Sequence, residues 1–270
     1  MRLVSAPTVA SALSLALLSS AQTITGQYDC LPAGDFTLCQ NLWGELSGVG
    51  NQSSTLISTT GNAVSWSTTW NWANNPNNVK SCGYCSVARL IKTIPKLPSS
   101  SLDPDANVLS NTAKGVQLSN IASAPTSWSW TYETQSDGIR ADVSYDIWFG
   151  KAPSGVAATS ASSYEIMIWL SGQGGIQPVG SVTKSNITVA GFQWDLWSGP
   201  NANWEVFSFK TASGDITDFD VDLQEFFTYL TENEGVASSQ YVQAIQTGTE
   251  PFTGNAVLMT SSYSVAINSL

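Results

Sequence analysis

The 270-residue chain contains no histidine. That absence excludes a Ser-His-Asp triad, a Cys-His dyad, a histidine-ligated zinc site and a two-histidine iron site. Acid–base chemistry would have to come from carboxylates, Tyr, Lys or Cys. Positive charge is also scarce: 10 Lys and Arg stand against 20 Asp and Glu, a net charge of −10. Nucleic-acid binding needs a basic footprint, so nucleic acid is not an expected partner, and neither is an anionic membrane surface. The phosphate-loop pattern G-x-x-x-x-G-K-[ST] is missing. No apolar run is long enough to span a membrane.

Cysteine is sparse, with Cys30, Cys39, Cys82 and Cys85. Three pairings of four cysteines are open; Cys30–Cys39, which closes a short loop, is favoured, with Cys82–Cys85 as the second bond. The N-terminus explains why disulfides are expected. Arg2 precedes a short apolar stretch, Val9 to Leu18, and Ser19-Ser20-Ala21 offers small residues for cleavage. Residues 1–21 read as a secretory signal peptide and 22–270 as a single catalytic domain, secreted and extracellular. The sequons Asn51-Gln52-Ser53 and Asn186-Ile187-Thr188 agree with that route.

What is abundant is short β-type runs broken by Gly, Asn, Ser and Pro. Tyr28 to Cys39 and Gln40 to Leu46 read as the arms of a hairpin, with Asn41 and Trp43 on one face of the second. Thr55–Ser58, Ala63–Asn71, Val87–Ile94, Val116–Ile121, Ser127–Glu133 and Ile139–Phe149 read as strands. Ser99 to Gly115 reads as a surface loop. Tyr164 to Leu170, Asn186 to Val189, Gln193 to Trp197, Trp204 to Lys210, Tyr241 to Thr247 and Ala256 to Asn268 continue the series. Gly172 to Pro178 is a glycine-rich loop. One segment changes period: Phe219, Leu223, Phe226, Phe227 and Leu230 fit one helical face, with Asp218 or Asp220 as cap and Gly235 as stop. Asp222, Glu225, Glu232 and Glu234 are expected on its solvated face. Many short strands with one helix indicate an all-β jelly-roll sandwich of two antiparallel sheets.

The Tyr164–Leu170 run is the most telling. Alternation places Tyr164, Ile166, Ile168 and Leu170 on one face, and Glu165, Met167 and Trp169 on the other. A carboxylate aligned with an indole and a thioether is unusual. Three acids sit in such aromatic strand contexts: Asp146, Glu165 and Glu250, with Glu205 a weaker fourth. Burial among aromatics favours the protonated acid, and neighbouring acids push each other's pKa values apart. Glycoside hydrolysis needs such a pair: one acid protonates the leaving oxygen, and one carboxylate attacks or activates water. Eleven Trp suggest sugar stacking as well as core packing.

Asn41-Leu42-Trp43-Gly44, Asn78-Val79-Lys80-Ser81, Tyr145-Asp146, Tyr164-Glu165-Ile166-Met167-Ile168-Trp169-Leu170 and Gly248-Thr249-Glu250-Pro251-Phe252-Thr253-Gly254 together resemble glycoside hydrolase family 12. That family comprises fungal endo-β-1,4-glucanases and xyloglucan-specific endoglucanases, and the resemblance runs from about Tyr28 to Asn268. It implies a jelly roll whose concave sheet forms an open glucan cleft. It also implies a retaining double displacement without metal or cofactor and a β-glucan substrate; the chain is expected to be a monomer. By motif, Glu165 resembles the nucleophile, Glu250 the general acid/base and Asp146 the helper of the nucleophile. Asn41, Trp43, Met167, Trp169 and Pro178 resemble cleft residues. The family's second cysteine, near Gln52-Ser53, is absent here, which leaves Cys39 as partner of Cys30. The loop at 99–115 is longer than the resemblance implies. A non-catalytic carbohydrate-binding jelly roll would keep the Trp residues without needing paired acids.

Overall fold

The computed structural model describes residues 21–42, 45–75 and 106–270. Among them lie seventeen strands and one helix: β1 (Gln22–Ile24), β2 (Cys30–Ala33), β3 (Phe36–Cys39), β4 (Val49–Thr60), β5 (Ala63–Ala73), β6 (Ala106–Ser110), β7 (Ile121–Ser123), β8 (Pro125–Gln135), β9 (Arg140–Gly150), β10 (Ser162–Gly172), β11 (Ser181–Val189), β12 (Phe192–Asn201), β13 (Trp204–Thr211), β14 (Asp218–Asp222), α1 (Gln224–Asn233), β15 (Tyr241–Thr249), β16 (Pro251–Val265) and β17 (Asn268–Ser269).

Two layers result. One runs β1-β4-β5-β16-β8-β14. The other runs β2-β3-β6-β15-β9-β10-β13-β12-β11. They join where Pro251 and Thr253 at the start of β16 pair with Ala141 and Arg140 of β9, so the whole curls nearly into a barrel. A small β7–β17 ladder stands apart. The all-β jelly-roll expectation holds, with one correction: β10 and β13 run parallel, because the chain leaves β10 and returns through β11 and β12 before pairing.

The core lies between the layers and is rich in aromatic rings. Trp66, Trp70, Trp128, Tyr145, Phe149 and Tyr263 are fully buried there. Trp128 meets Tyr145 edge-to-face at 5.2 Å, the arrangement that ring quadrupoles favour. On α1, Phe226 meets Phe209 at 5.0 Å and Phe227 meets Phe149 at 5.2 Å. This helix begins later than its periodicity predicts: Phe219 belongs to β14. The side chain of Asp222, not Asp218 or Asp220, accepts the Gln224 and Ala124 amides at 2.9 and 2.6 Å. Gly235 closes the helix with φ of +72°, and the Val236 amide returns to the Leu230 carbonyl. Glu225 and Glu232 are solvated as expected, whereas Glu234 pairs with Lys184.

Four further expectations are corrected. The hairpin lies inside the first run, where Cys30 and Cys39 face each other across β2 and β3 and form the favoured disulfide. Asn41 has φ of +46° and is not in a strand. The segment read as a loop to Gly115 contains β6, whose Asn107, Val108 and Leu109 are buried between β3 and β15. Val116 to Ile121 is mostly a 3-10 turn, Leu118–Asn120, rather than a strand. The Val87–Ile94 strand, the Cys82–Cys85 bond and residues 99–105 lie outside the described residues.

Candidate active site

The site is built on the face of the nine-stranded layer that points away from the main core. Alternation on β10 sends Ile166, Ile168 and Leu170 into that core, and Glu165, Met167 and Trp169 to the opposite side. Register then assembles the neighbours. Asp146, in the middle of β9, lies between Met167 of β10 and Gln246 of β15. Glu165 is one step along, opposite Trp148 and beside Val206. The same alternation on β9 adds Asp142 and Ser144 to this face.

Two indoles fix the two acids. Trp148 donates its ring N–H to Asp146 Oδ2 at 2.9 Å, and Trp204 donates to Glu165 Oε2 at 2.7 Å. The indoles meet edge-to-face at 5.1 Å, and Asn201 gives Glu165 Oε2 a weaker contact at 3.5 Å. The remaining oxygens, Asp146 Oδ1 and Glu165 Oε1, are buried without a hydrogen-bond partner. Buried oxygens in that condition are costly and are the exception in folded proteins, so they are the atoms to ask a function of.

Burial holds the Glu165 carboxyl well above the usual carboxylate range, and the negative charge of Asp146 adds to that effect. Burial pushes Asp146 up to about 7, opposed by the Trp148 hydrogen bond. Asp142 is also pushed up to about 7 by burial, against the hydrogen bonds from the Glu250 amide and Ser144. The neighbours therefore keep protons between them in the mildly acid range.

Raised carboxylate pKa values mean that the folded state binds more protons than the unfolded state between about pH 4 and 7. Stability from these groups is greatest below the unfolded pKa and falls as pH rises through about 7. For one such group the change is on the order of 4 kcal/mol. Thermal melting is expected several degrees higher at pH 4.5 than at pH 7.5. A higher melting point at pH 7.5 would contradict the assignment of these groups as buried acids.

Glu250 stands at the junction of β15 and β16, half-buried, with its amide donating to Asp142 Oδ1 at 2.7 Å. It lines one surface depression together with Asp146, Asn107, Ser144, Gln246 and Gly248. Among the described residues no three His, Cys, Asp or Glu side chains gather to hold a metal ion.

The glycosyl hydrolase family 12 model matches residues 34–268, most of the chain. The chain belongs to glycosyl hydrolase family 12. It is a glycoside hydrolase. It is 40% identical over 266 residues to the xyloglucan-specific endo-β-1,4-glucanase A of Aspergillus aculeatus, covering 95% of this chain and 98% of that one. The catalytic domain of Humicola grisea Cel12A, solved with a soaked thio cellotetraose, is 33% identical, with a TM-score of 0.77 and coverage of 92% and 99%. A family 12 xyloglucanase from Bacillus licheniformis, 20% identical with a TM-score of 0.70, shares the fold.

In this family 12 chain the site residues expected from sequence are largely brought together. Asp146 and Glu250 share the depression, and Glu165 neighbours Asp146 on the same face of the adjacent strand. Asn41 reaches the same place through a buried amide chain: it donates to Asn107 Oδ1 at 3.0 Å, and Asn107 donates to Gln246 Oε1 at 2.6 Å. Met167 and Trp169 are on the expected face but are only 4% and 2% exposed, with Ile176 and Val179 packed in the same cluster. The indole of Trp169 donates to Met167 Sδ at 3.4 Å, and Lys210 lies 5.7 Å from its ring centre. Pro178 is buried in the covering loop, which Lys210 ties down through the Ile176 carbonyl at 2.9 Å. In that loop Gly174 has φ of +71°, and a Cβ there would meet the Ile139 carbonyl at 2.4 Å. Trp43 lies outside the described residues.

Glu205 is not part of the site. It pairs in register with Tyr164, on the other face of β13, and accepts from Ser198. Nor does the tryptophan count mark exposed sugar platforms: nine of the ten among the described residues are buried, and Trp66, Trp70 and Trp72 line the main core. Sequence reasoning missed Asp142, Trp148 and Trp204. Asp142 was accessible to it, since a strand places residues 142, 144 and 146 on one face.

Proposed function

We propose that this chain is an endo-β-1,4-glucanase that cleaves internal bonds of a β-glucan by a retaining double displacement. The observation that carries the reading is the buried Glu165 beside Asp146, whose negative charge helps hold the Glu165 carboxyl above its usual range, with Asp146 and a half-buried Glu250 in the same depression. Glu165 Oε1 attacks the anomeric carbon while the bond to the leaving oxygen breaks. Glu250 gives its proton to that oxygen. In the second step the Glu250 carboxylate takes a proton from water, the water attacks the anomeric carbon, and Glu165 leaves. Attack requires Glu165 to be ionised, so the proton held by the pair belongs on Asp146 at that moment; this is the helper role for Asp146. Asn41, Trp43, Met167, Trp169 and Pro178 shape or back the cleft, as the resemblance implies.

The names of the relatives favour a sharper substrate reading, xyloglucan, because the curated Aspergillus proteins at about 40% identity are xyloglucan-specific. Rates on carboxymethylcellulose, barley β-glucan and xyloglucan test both readings. Reducing ends are expected from all three, with xyloglucan fastest by about tenfold, the scale of discrimination a pocket supplies for added substituents. Slower cleavage of xyloglucan than of β-glucan would return the enzyme to the plain-glucan reading. No reducing ends from any of them would leave a binding module. Residues 1–21 are read as a cleaved secretory signal and 22–270 as one secreted, monomeric catalytic unit. Both sequon asparagines, Asn51 and Asn186, are exposed and so open to glycosylation on that route.

A further inference from the structure

We propose that Asp142 is the positioning residue for the acid/base: it fixes the main chain of Glu250 and so aims the carboxyl that protonates the leaving oxygen. The inference rests on the reading of Glu250 as the acid/base. Its ground is the way the chain passes between layers. β15 ends at Thr249 and β16 begins at Pro251, leaving Glu250 outside any strand. Pro251 has no N–H to anchor the junction from the other side.

Asp142 holds this one-residue gap at three points. Its Oδ1 accepts the Glu250 N–H at 2.7 Å, and its own N–H donates to the Glu250 carbonyl at 3.3 Å. Its carbonyl accepts the Thr249 hydroxyl at 2.6 Å. Both main-chain groups of Glu250 are thus bound to one residue. The other carboxyl oxygen of Asp142 takes the Ser144 hydroxyl at 3.3 Å, so the acceptor is itself oriented. The side chain is wholly buried. Without the acceptor, the Glu250 amide would lose its partner and the junction its fixed geometry, at a site where a displacement near 1 Å is enough to cost about 100-fold in rate.

The distinguishing readout is the leaving group. A general acid matters for glycosides with poor leaving groups and little for those whose leaving group departs unprotonated. The test compares kcat/KM, which reports the first displacement, for phenyl and 2,4-dinitrophenyl β-cellobiosides. Asp142→Ala is expected to lower kcat/KM for the phenyl glycoside by about 10–100-fold and for the dinitrophenyl glycoside by no more than about threefold, a partial loss of general-acid assistance. Asp142→Asn, which keeps an acceptor oxygen, is expected to recover most of that loss. An equal loss on both glycosides would overturn the proposal, as would an asparagine variant no better than alanine. If Asp142→Ala does not fold, Thr249→Val removes another of the three bonds with a similar shape and should show the same skew; equal losses there count against it. Glu250→Ala, measured alongside, must itself show the strong skew. If it does not, the acid/base reading has failed, whatever the Asp142 variants do.

Discussion

Glu165→Gln is expected to lower kcat on β-glucan by about 10⁴-fold or more while leaving the fold intact, the scale on which loss of a covalent nucleophile is felt. The amide has the shape of the acid, and its carbonyl oxygen can still accept the Trp204 N–H that now lies 2.7 Å from Oε2. It cannot form the glycosyl–enzyme ester. Stability above pH 7 should rise slightly rather than fall, because a buried carboxyl that resists ionisation is replaced by a group that never ionises. Circular dichroism and melting separate a folded, inactive variant from a misfolded one. A folded variant with activity within tenfold of the parent would remove Glu165 from the chemistry.

Glu250→Ala is expected to lower kcat/KM on glucan by about 10²–10⁴-fold, the usual range for a general acid. Its side chain is half-buried at a strand junction, and the backbone bonds to Asp142 do not depend on it. The fold should therefore survive truncation. Added azide should restore turnover of activated glycosides and give the β-glycosyl azide, because the anion attacks the glycosyl–enzyme from the face that water would use. Glu165→Ala lacks that intermediate and should not give the β-azide. An α-azide from Glu250→Ala would contradict the assignment of the two roles.

The parts of this arrangement that sequence made legible are those set by strand alternation. Tyr164 to Leu170 announces both of its faces, and burial holds the acid on the unusual face well above the usual carboxylate range. Glu250 was legible from its motif, and Cys30–Cys39 from loop length. The partners that hold the acids were not legible, because pairing register decides them: nothing in the sequence states that Trp204 of β13 runs parallel to β10 and so reaches Glu165. The same physics hid β6. Its five residues look like loop in a polar context, and become a strand because β3 and β15 supply partners on both sides. The helix begins later than its periodicity suggests because Phe219 fits a helical stripe and a strand equally well, and its pairing with Trp128 of β8 makes it strand. A tryptophan count carries no information about facing, which is why a surplus that suggests sugar stacking is found mostly buried among the described residues.

Trapping the glycosyl–enzyme is the direct test of Glu165 as nucleophile. A 2-deoxy-2-fluoro-β-cellobioside with a good leaving group slows the second displacement and leaves the label on the attacking oxygen. Trypsin then separates the candidates: residues 141–151 carry Asp142 and Asp146, residues 152–184 carry Glu165 as their only acid, and Glu250 lies in 211–270. The sugar mass is expected on 152–184 alone. Label on 141–151 or 211–270, or no label together with an inverted product anomer, would contradict the nucleophile and the retaining course.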